Sequence, residues 1–258
     1  MLQQFDYIFN NLYNVAKHNK SNLTLLYNDF VFDNIIITDD KWNKYKFLFK
    51  HSPLHMIINT KEKFNIFDIS YMFETSPNLI SLVFNKDFNL DLNDIIFPNS
   101  LLYIIFIGQV THDLSKINFP KSIISLIFDS DCIQMLSKII FPISLQTLKL
   151  GHCNFNDITF PSSLITLELT LFTKLKKSVN IIQFPSSLKY LKLTLCKEFN
   201  QHISNFIFPS NLKILELYQL VEIPIDVKLN DIKFASNEFP ISLSILKFNG
   251  TILFTKII

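Results

Sequence analysis

Phe184-Pro185-Ser186-Ser187-Leu188-Lys189-Tyr190-Leu191-Lys192-Leu193 is the stretch whose reading decides the fold. It has the form Phe-Pro-x-Ser-Leu-x-x-Leu-x-Leu, and close copies begin at Phe97, Phe119, Phe141, Phe160, Phe208 and Phe239. Successive copies are separated by 22, 22, 19, 24, 24 and 31 residues. A period near this length belongs to architectures in which small units stack, because no unit can bury its own apolar face. With the Phe of each copy as position zero, apolar residues fall at positions four, seven and nine, as in Leu145, Leu148 and Leu150 or Leu212, Leu215 and Leu217. Positions seven and nine differ by two, so on a strand they share one side of the sheet, and position eight points to the other. Pro at position one lacks an N–H and suits the loop before the strand.

From position four onward, Leu145 to Cys153 and Leu188 to Cys196 read Leu-x-x-Leu-x-Leu-x-x-Cys, the leucine-rich-repeat spacing. The Phe-Pro-Ser-Ser-Leu core, with Phe-Asn ahead of the next Phe-Pro at Phe88-Asn89, Phe155-Asn156 and Phe199-Asn200, resembles the FNIP repeat family. FNIP proteins abound in social amoebae and in giant viruses of amoebae. The resemblance implies an interaction scaffold and no known chemistry. The expected fold is an α+β repeat: a leucine-rich-repeat-like solenoid over residues 51–258, with a parallel concave β-sheet and a helical N-terminal cap over residues 1–50.

The cap reading rests on helical spacing in Phe5, Ile8, Phe9, Leu12, Val15 and Ala16. A second short helix is expected around Leu23 to Phe30, and a third after Thr38-Asp39-Asp40, which reads as an N-cap with an acidic first turn. Leu54 to Ile58 reads as the first strand, Ile66 to Phe73 as a helix, and Pro77 to Phe84 as a degenerate repeat. Many FNIP proteins carry an F-box at this end, and Leu25-Leu26-Tyr27-Asn28-Asp29-Phe30 resembles the tail of one, although the Leu-Pro opening is absent. As the alternative, the resemblance therefore implies a substrate-recognition subunit of an F-box ubiquitin ligase.

Composition narrows the rest. A hydrophobic fraction of 48% against 18% charged residues excludes a largely disordered chain. The chain has 27 Phe, 3 Gly and no Arg. Without Arg the usual bidentate reader of phosphate and guanine is missing, so nucleic acid is not an expected partner. A net charge of +2 provides no strong steering field. No signal peptide or membrane-length apolar run is apparent, so a cytoplasmic location is expected (host cytoplasm if viral). Three cysteines, two of them at the repeat position, are expected to be reduced and buried. No linker rich in Gly or Ser interrupts the repeats after Phe97, so no domain boundary is expected there. Gly108, Gly151 and Gly250 each follow a repeat strand, where a turn can use positive φ. An extra loop is expected over Val221 to Asn237. The segment Thr255-Lys256-Ile257-Ile258 shows no polar cap, and its apolar edge is an expected dimer contact.

No catalytic, metal or cofactor-binding residues are expected. His51 and His55 lack companion ligands, His112, His152 and His202 stand at unequal repeat offsets, and Cys153 beside His152 points away from it on a strand. Lys174, Lys176 and Lys177 read as a solvated loop. The informative surface is the outward side of the strands. Position eight runs Ile105, Ile127, Lys149, Glu168, Lys192, Glu216 and Lys247, alternating in sign from Lys149 on. Such a ladder of cross-strand pairs fixes strand order and solubilises the face. Tyr103, Ile105, Ile107 and Ile127 are expected either to form an exposed apolar patch, a candidate protein contact, or to be covered by the N-terminal segment folding over them. Lys149, Glu168, Tyr190, Lys192, Glu216 and Tyr218 are the further candidates. A protein partner is expected, and no membrane.

Overall fold

Each Phe-Pro copy turns the chain before it extends. The carbonyl of the proline accepts a hydrogen bond from the backbone N–H of the leucine three residues on: Leu101 to Pro98, Leu145 to Pro142, Leu188 to Pro185 and Leu212 to Pro209, all at 3.1 Å. Two residues past that leucine a strand begins, so every copy delivers position six to the start of a strand. The structure is a computed structural model that describes residues 34–38, 54–59, 66–86, 88, 90–108, 114–129, 132–135, 139–154, 158–171, 182–196, 206–220 and 239–255. It divides into two compact units, Met1–Gln134 and Met135–Ile258. The unbroken repeat pattern gave no sign of that division, whose boundary falls within the short strand β6 (Cys132–Met135).

In the first unit β1 (Asn34–Thr38), β2 (His55–Asn59), β3 (Ser81–Phe84), β4 (Tyr103–Phe106) and β5 (Ser125–Phe128) pair in parallel, each with the next. The helix α1 (Ile66–Glu74) lies in the connection between β2 and β3, and a 3-10 turn covers Leu114–Lys116 between β4 and β5. Phe84, Phe106 and Phe128, all at position nine of their repeats, stack at 4.9 Å between successive ring centroids. The position-zero rings Phe97 and Phe119 stack behind them at 6.3 Å. Offset stacking at these separations adds about 0.5–1.5 kcal/mol per pair beyond area burial.

The second unit repeats the scheme with β7 (Thr147–Asn154), β8 (Thr166–Leu171), β9 (Tyr190–Cys196), β10 (Ile214–Leu220) and β11 (Ile245–Phe248), again parallel neighbour to neighbour. A last strand, β12 (Thr251–Thr255), turns back antiparallel to β11 through Asn249 and Gly250, which adopt φ 46° and 82°. Leu145, Leu148, Leu164, Leu167, Leu188, Leu191, Leu212 and Leu215 are fully buried. Each such side chain removed from water is worth about 1.5–3 kcal/mol.

The sequence pattern missed two ties between coils. The serine at position three donates its hydroxyl to the backbone carbonyl of the position-four residue in the preceding coil: Ser122 to Leu101, Ser163 to Leu145, Ser187 to Leu164 and Ser242 to Leu212, at 2.6–2.7 Å. Ser100 makes the same bond to Leu79 of the degenerate repeat. Where Asn211 replaces serine, its side-chain amide reaches the Ser186 carbonyl at 2.9 Å. The second tie is position minus two, where Ile95, Ile117, Ile139, Ile158, Ile182 and Phe206 are all buried.

The strand expected at Leu54 to Ile58, the helix at Ile66 to Phe73 and the degenerate repeat at Pro77 are present as β2, α1 and β3. The expected 1–50 cap and 51–258 repeat region are divided differently, because β1 already pairs with β2 in full register inside the stretch read as cap. Its Asn-Ile-Ile-Ile-Thr run is β-branched and suits a strand. Thr38, read as a helix N-cap, is the last residue of that strand. The helices expected within residues 3–30 and after Asp40, the F-box-like Leu25 to Phe30 stretch, the Val221 to Asn237 loop, Lys174 to Lys177, His51, His112 and His202 lie outside the described residues. Among the described residues α1 is the α-helix, so they show a parallel repeat sheet and carry neither the α+β class nor a helical cap.

Of the three glycines only Gly250 uses positive φ. A Cβ on Gly108 would come within 2.4 Å of the Lys86 carbonyl oxygen, so close backbone approach explains that glycine. Gly151 sits inside β7, where the pairing with β8 slips between Leu150 and His152. An unpaired extra residue of this kind is the mark of a β-bulge.

Candidate functional site

In the second unit strand alternation separates two faces. Along β8, Thr166 to Leu171, half-buried and buried residues alternate one by one. Leu167, Leu169 and Leu171 enter the core, and Thr166, Glu168 and Thr170 stand on the open face. The register puts Lys149 beside Glu168, Glu168 beside Lys192, Lys192 beside Glu216, and Glu216 beside Lys247. The sign alternation read from the sequence is therefore a row of cross-strand neighbours.

The row is not uniform. Lys247 Nζ donates to Glu216 Oε1 at 2.7 Å, while Lys192 Nζ stands 3.6 Å from Glu168 Oε2. Lys192 also lies over the Tyr218 ring, 4.9 Å from its centroid. On the other side of the row the Tyr190 hydroxyl donates to Glu216. Glu216 is the best-buried member, 7% exposed. Burial pushes its carboxyl up, but the hydrogen bonds from Lys247 and Tyr190 outweigh that and hold it below the ordinary carboxylate value. The same carboxylate raises Lys247. Burial first, and then donation to Glu216, drive Tyr190 far above the usual phenol range, so its hydroxyl stays protonated and remains a donor.

Positions six and ten bracket position eight along a strand. Tyr190 and Tyr218 thus flank the charged row on either side, one from β9 and one from β10. Both are half-buried, as are Lys149, Glu168, Lys192 and Lys247. Ionic and aromatic groups of this kind can make charge-assisted hydrogen bonds and pack flat rings against a ligand.

The first unit corrects the second half of the sequence expectation. Tyr103, Ile105 and Ile107 are buried, at 9%, 0% and 8% exposure, so they do not form an exposed patch. Ile105 and Ile107 join Ile57 and Val83 in a buried cluster against which Ile127 packs. Beside that cluster the position-six residues His55 and Ser81 are buried too, and share a hydrogen bond of 2.7 Å between Nδ1 and Oγ. The sheet here is covered on both faces, as parallel sheets commonly are. The sequence carried the signal. Ser81-Leu82-Val83-Phe84 and Tyr103-Ile104-Ile105-Phe106 lack the polar alternation of Thr166-Leu167-Glu168-Leu169. A run apolar at successive positions marks a strand buried on both sides.

Among the described residues no group of three or more His, Cys, Asp or Glu side chains gathers as a metal site, and no helix is long and apolar enough to cross a membrane. Cys153 and His152 lie in β7 and Cys196 ends β9.

The FNIP Repeat model matches residues 112–153. A solved structure described as the crystal structure of CroV588, a novel circular LRR protein structure, aligns with 22% sequence identity and a TM-score of 0.45. The alignment covers 76% of this chain and 30% of that one, so this chain spans under a third of its length. No curated protein matches the chain.

Proposed function

We propose that this chain is an FNIP repeat protein of the leucine-rich type and a non-enzymatic scaffold for protein–protein interaction, a reading supported by the FNIP Repeat match over residues 112–153 and by the recurring Leu-x-x-Leu-x-Leu strands. We place its partner surface on the open face of the second unit, centred on β9 and β10. One observation carries this placement. In the first unit the outward residues Ile57, Val83 and Ile105 are buried, with Ile127 half-buried against them, whereas position eight of the second unit keeps Lys149, Glu168, Lys192 and Lys247 partly accessible, with Tyr190 and Tyr218 half-buried beside them. Tyrosine is among the residue types that anchor protein interfaces. Stacked repeats hold such side chains on a rigid sheet, which lowers the ordering cost of binding.

The test inverts every sign at once: Lys149→Glu, Glu168→Lys, Lys192→Glu, Glu216→Lys and Lys247→Glu. Each cross-strand neighbour remains an opposite charge, so the fold is retained while the pattern offered to a partner is reversed. Affinity capture from the cell that makes this protein should recover a protein with wild-type bait and lose it with the inverted bait, at unchanged circular dichroism. A partner retained by the inverted bait would place the interaction elsewhere.

A further inference from the structure

The charge row has a pitch as well as a sign. Neighbouring strands lie about 4.8 Å apart, so Lys149, Lys192 and Lys247, on every second strand, repeat at about 9.6 Å. A ligand lying across the strands must present matching groups at that interval on one side. Residues on one side of an extended strand recur at about 6.7 Å and 13 Å, which misses it. A helix returns to the same side after seven residues, about 10.5 Å, and drifts by nearly an ångström at each step. A polyproline II segment has three residues per turn and rises about 3.1 Å per residue, so every third residue recurs on one side at about 9.3 Å.

We propose that this face binds an acidic polyproline II segment, with a carboxylate at every third residue opposite Lys149, Lys192 and Lys247. The inference rests on the partner surface assigned above and adds the chemistry of its ligand. Each ammonium carries three donors, so the cross-strand glutamate takes only part of its capacity. Lys192 holds its carboxylate neighbour more loosely than Lys247 does, at 3.6 Å against 2.7 Å, and both lysine side chains are 31% exposed. Tyr218 beneath it and Tyr190 on the far side of the row supply aromatic surface for the intervening prolines, the surface on which such segments dock elsewhere. Glu168 and Glu216 stand between the lysines and set the selectivity. A ligand with carboxylates at successive residues would bring like charges against them, and the three-residue spacing avoids this.

Fluorescence anisotropy of the intact protein tests the proposal with a labelled peptide of repeated Glu-Pro-Pro triplets. Its controls are a composition-matched isomer with the glutamates contiguous and the Lys-Pro-Pro counterpart. The triplet peptide should bind about tenfold more tightly than the isomer. Added salt should weaken it, and Lys192→Gln or Lys149→Gln should each lower its affinity several-fold without shifting the melting temperature. Absence of binding, equal binding of both isomers, or indifference to the lysine variants overturns the proposal. If the peptide fails while the sign-inverted bait still loses its partner, the surface stands and its ligand has another chemistry. If the inverted bait keeps its partner, the surface assignment itself is lost.

Discussion

Glu216 concentrates the electrostatics of the second unit in one side chain. It accepts from Lys247 and Tyr190 while nearly buried, and its carboxyl is held below the ordinary value. A group whose folded-state pKa is depressed contributes stability above its unfolded pKa, and that contribution is lost as pH falls through the folded value. Replacing Glu216 with Gln should therefore cost about 1–2 kcal/mol at neutral pH, a value kept low because Lys247 is partly solvated. The difference should narrow as the pH is taken below about 4.5. Urea unfolding of both proteins at neutral and acid pH measures it. A gap that stays constant across that range would mean the carboxylate charge is not what stabilises. The residue scale also shows where sequence reading stopped. The alternating signs at position eight were legible, but the diagonal reach of Tyr190 to Glu216 and of Lys192 to Tyr218 was not, because it depends on side-chain direction and not on spacing.

The single coil was the most legible element, since turn, strand start and core leucines all follow from Phe-Pro-x-Ser-Leu-x-x-Leu-x-Leu. What spacing could not show was the use of the serine. Position three looks like an ordinary turn residue, yet its hydroxyl fastens each coil to the one before it. Ser187→Ala should lose about 1 kcal/mol by leaving the Leu164 carbonyl short of a donor. Ser186→Ala, at the exposed position two, should stay within about 0.5 kcal/mol of wild type. Equal effects in chemical denaturation would reduce the serine tie to a surface contact. The strands of the first unit show the opposite kind of misreading. Repeat spacing alone makes position eight solvent-facing in every coil, whereas the unbroken apolar runs of β3 and β4 argue for cover on both sides. Consequently Ile105→Ala should destabilise by about 2–5 kcal/mol. Lys192→Gln, at the same repeat position in the second unit, should leave the melting temperature nearly unchanged. A tolerated Ile105→Ala would restore the exposed patch.

At the scale of the whole molecule, one sequence period produces two compact units that use the outward face of their sheets differently. The period itself explains the parallel order, because each coil returns the chain to the start of the next strand. It does not explain the split at Gln134, which no change of composition marks. Both the partner surface and the ligand pitch depend on neighbouring coils meeting in register, and a disulfide trap tests that register most directly. With the three native cysteines replaced by alanine, cysteines are introduced at Thr170 and Thr194, which are register partners in β8 and β9. A strand spacing of about 4.8 Å lies within the Cα separation a disulfide accepts. Mild oxidation should close the Thr170→Cys/Thr194→Cys pair quantitatively in the native protein. The Thr166→Cys/Thr194→Cys pair, displaced by four residues along the strands, should stay open. Cross-linking of both pairs, or of neither, would contradict the stacked parallel register.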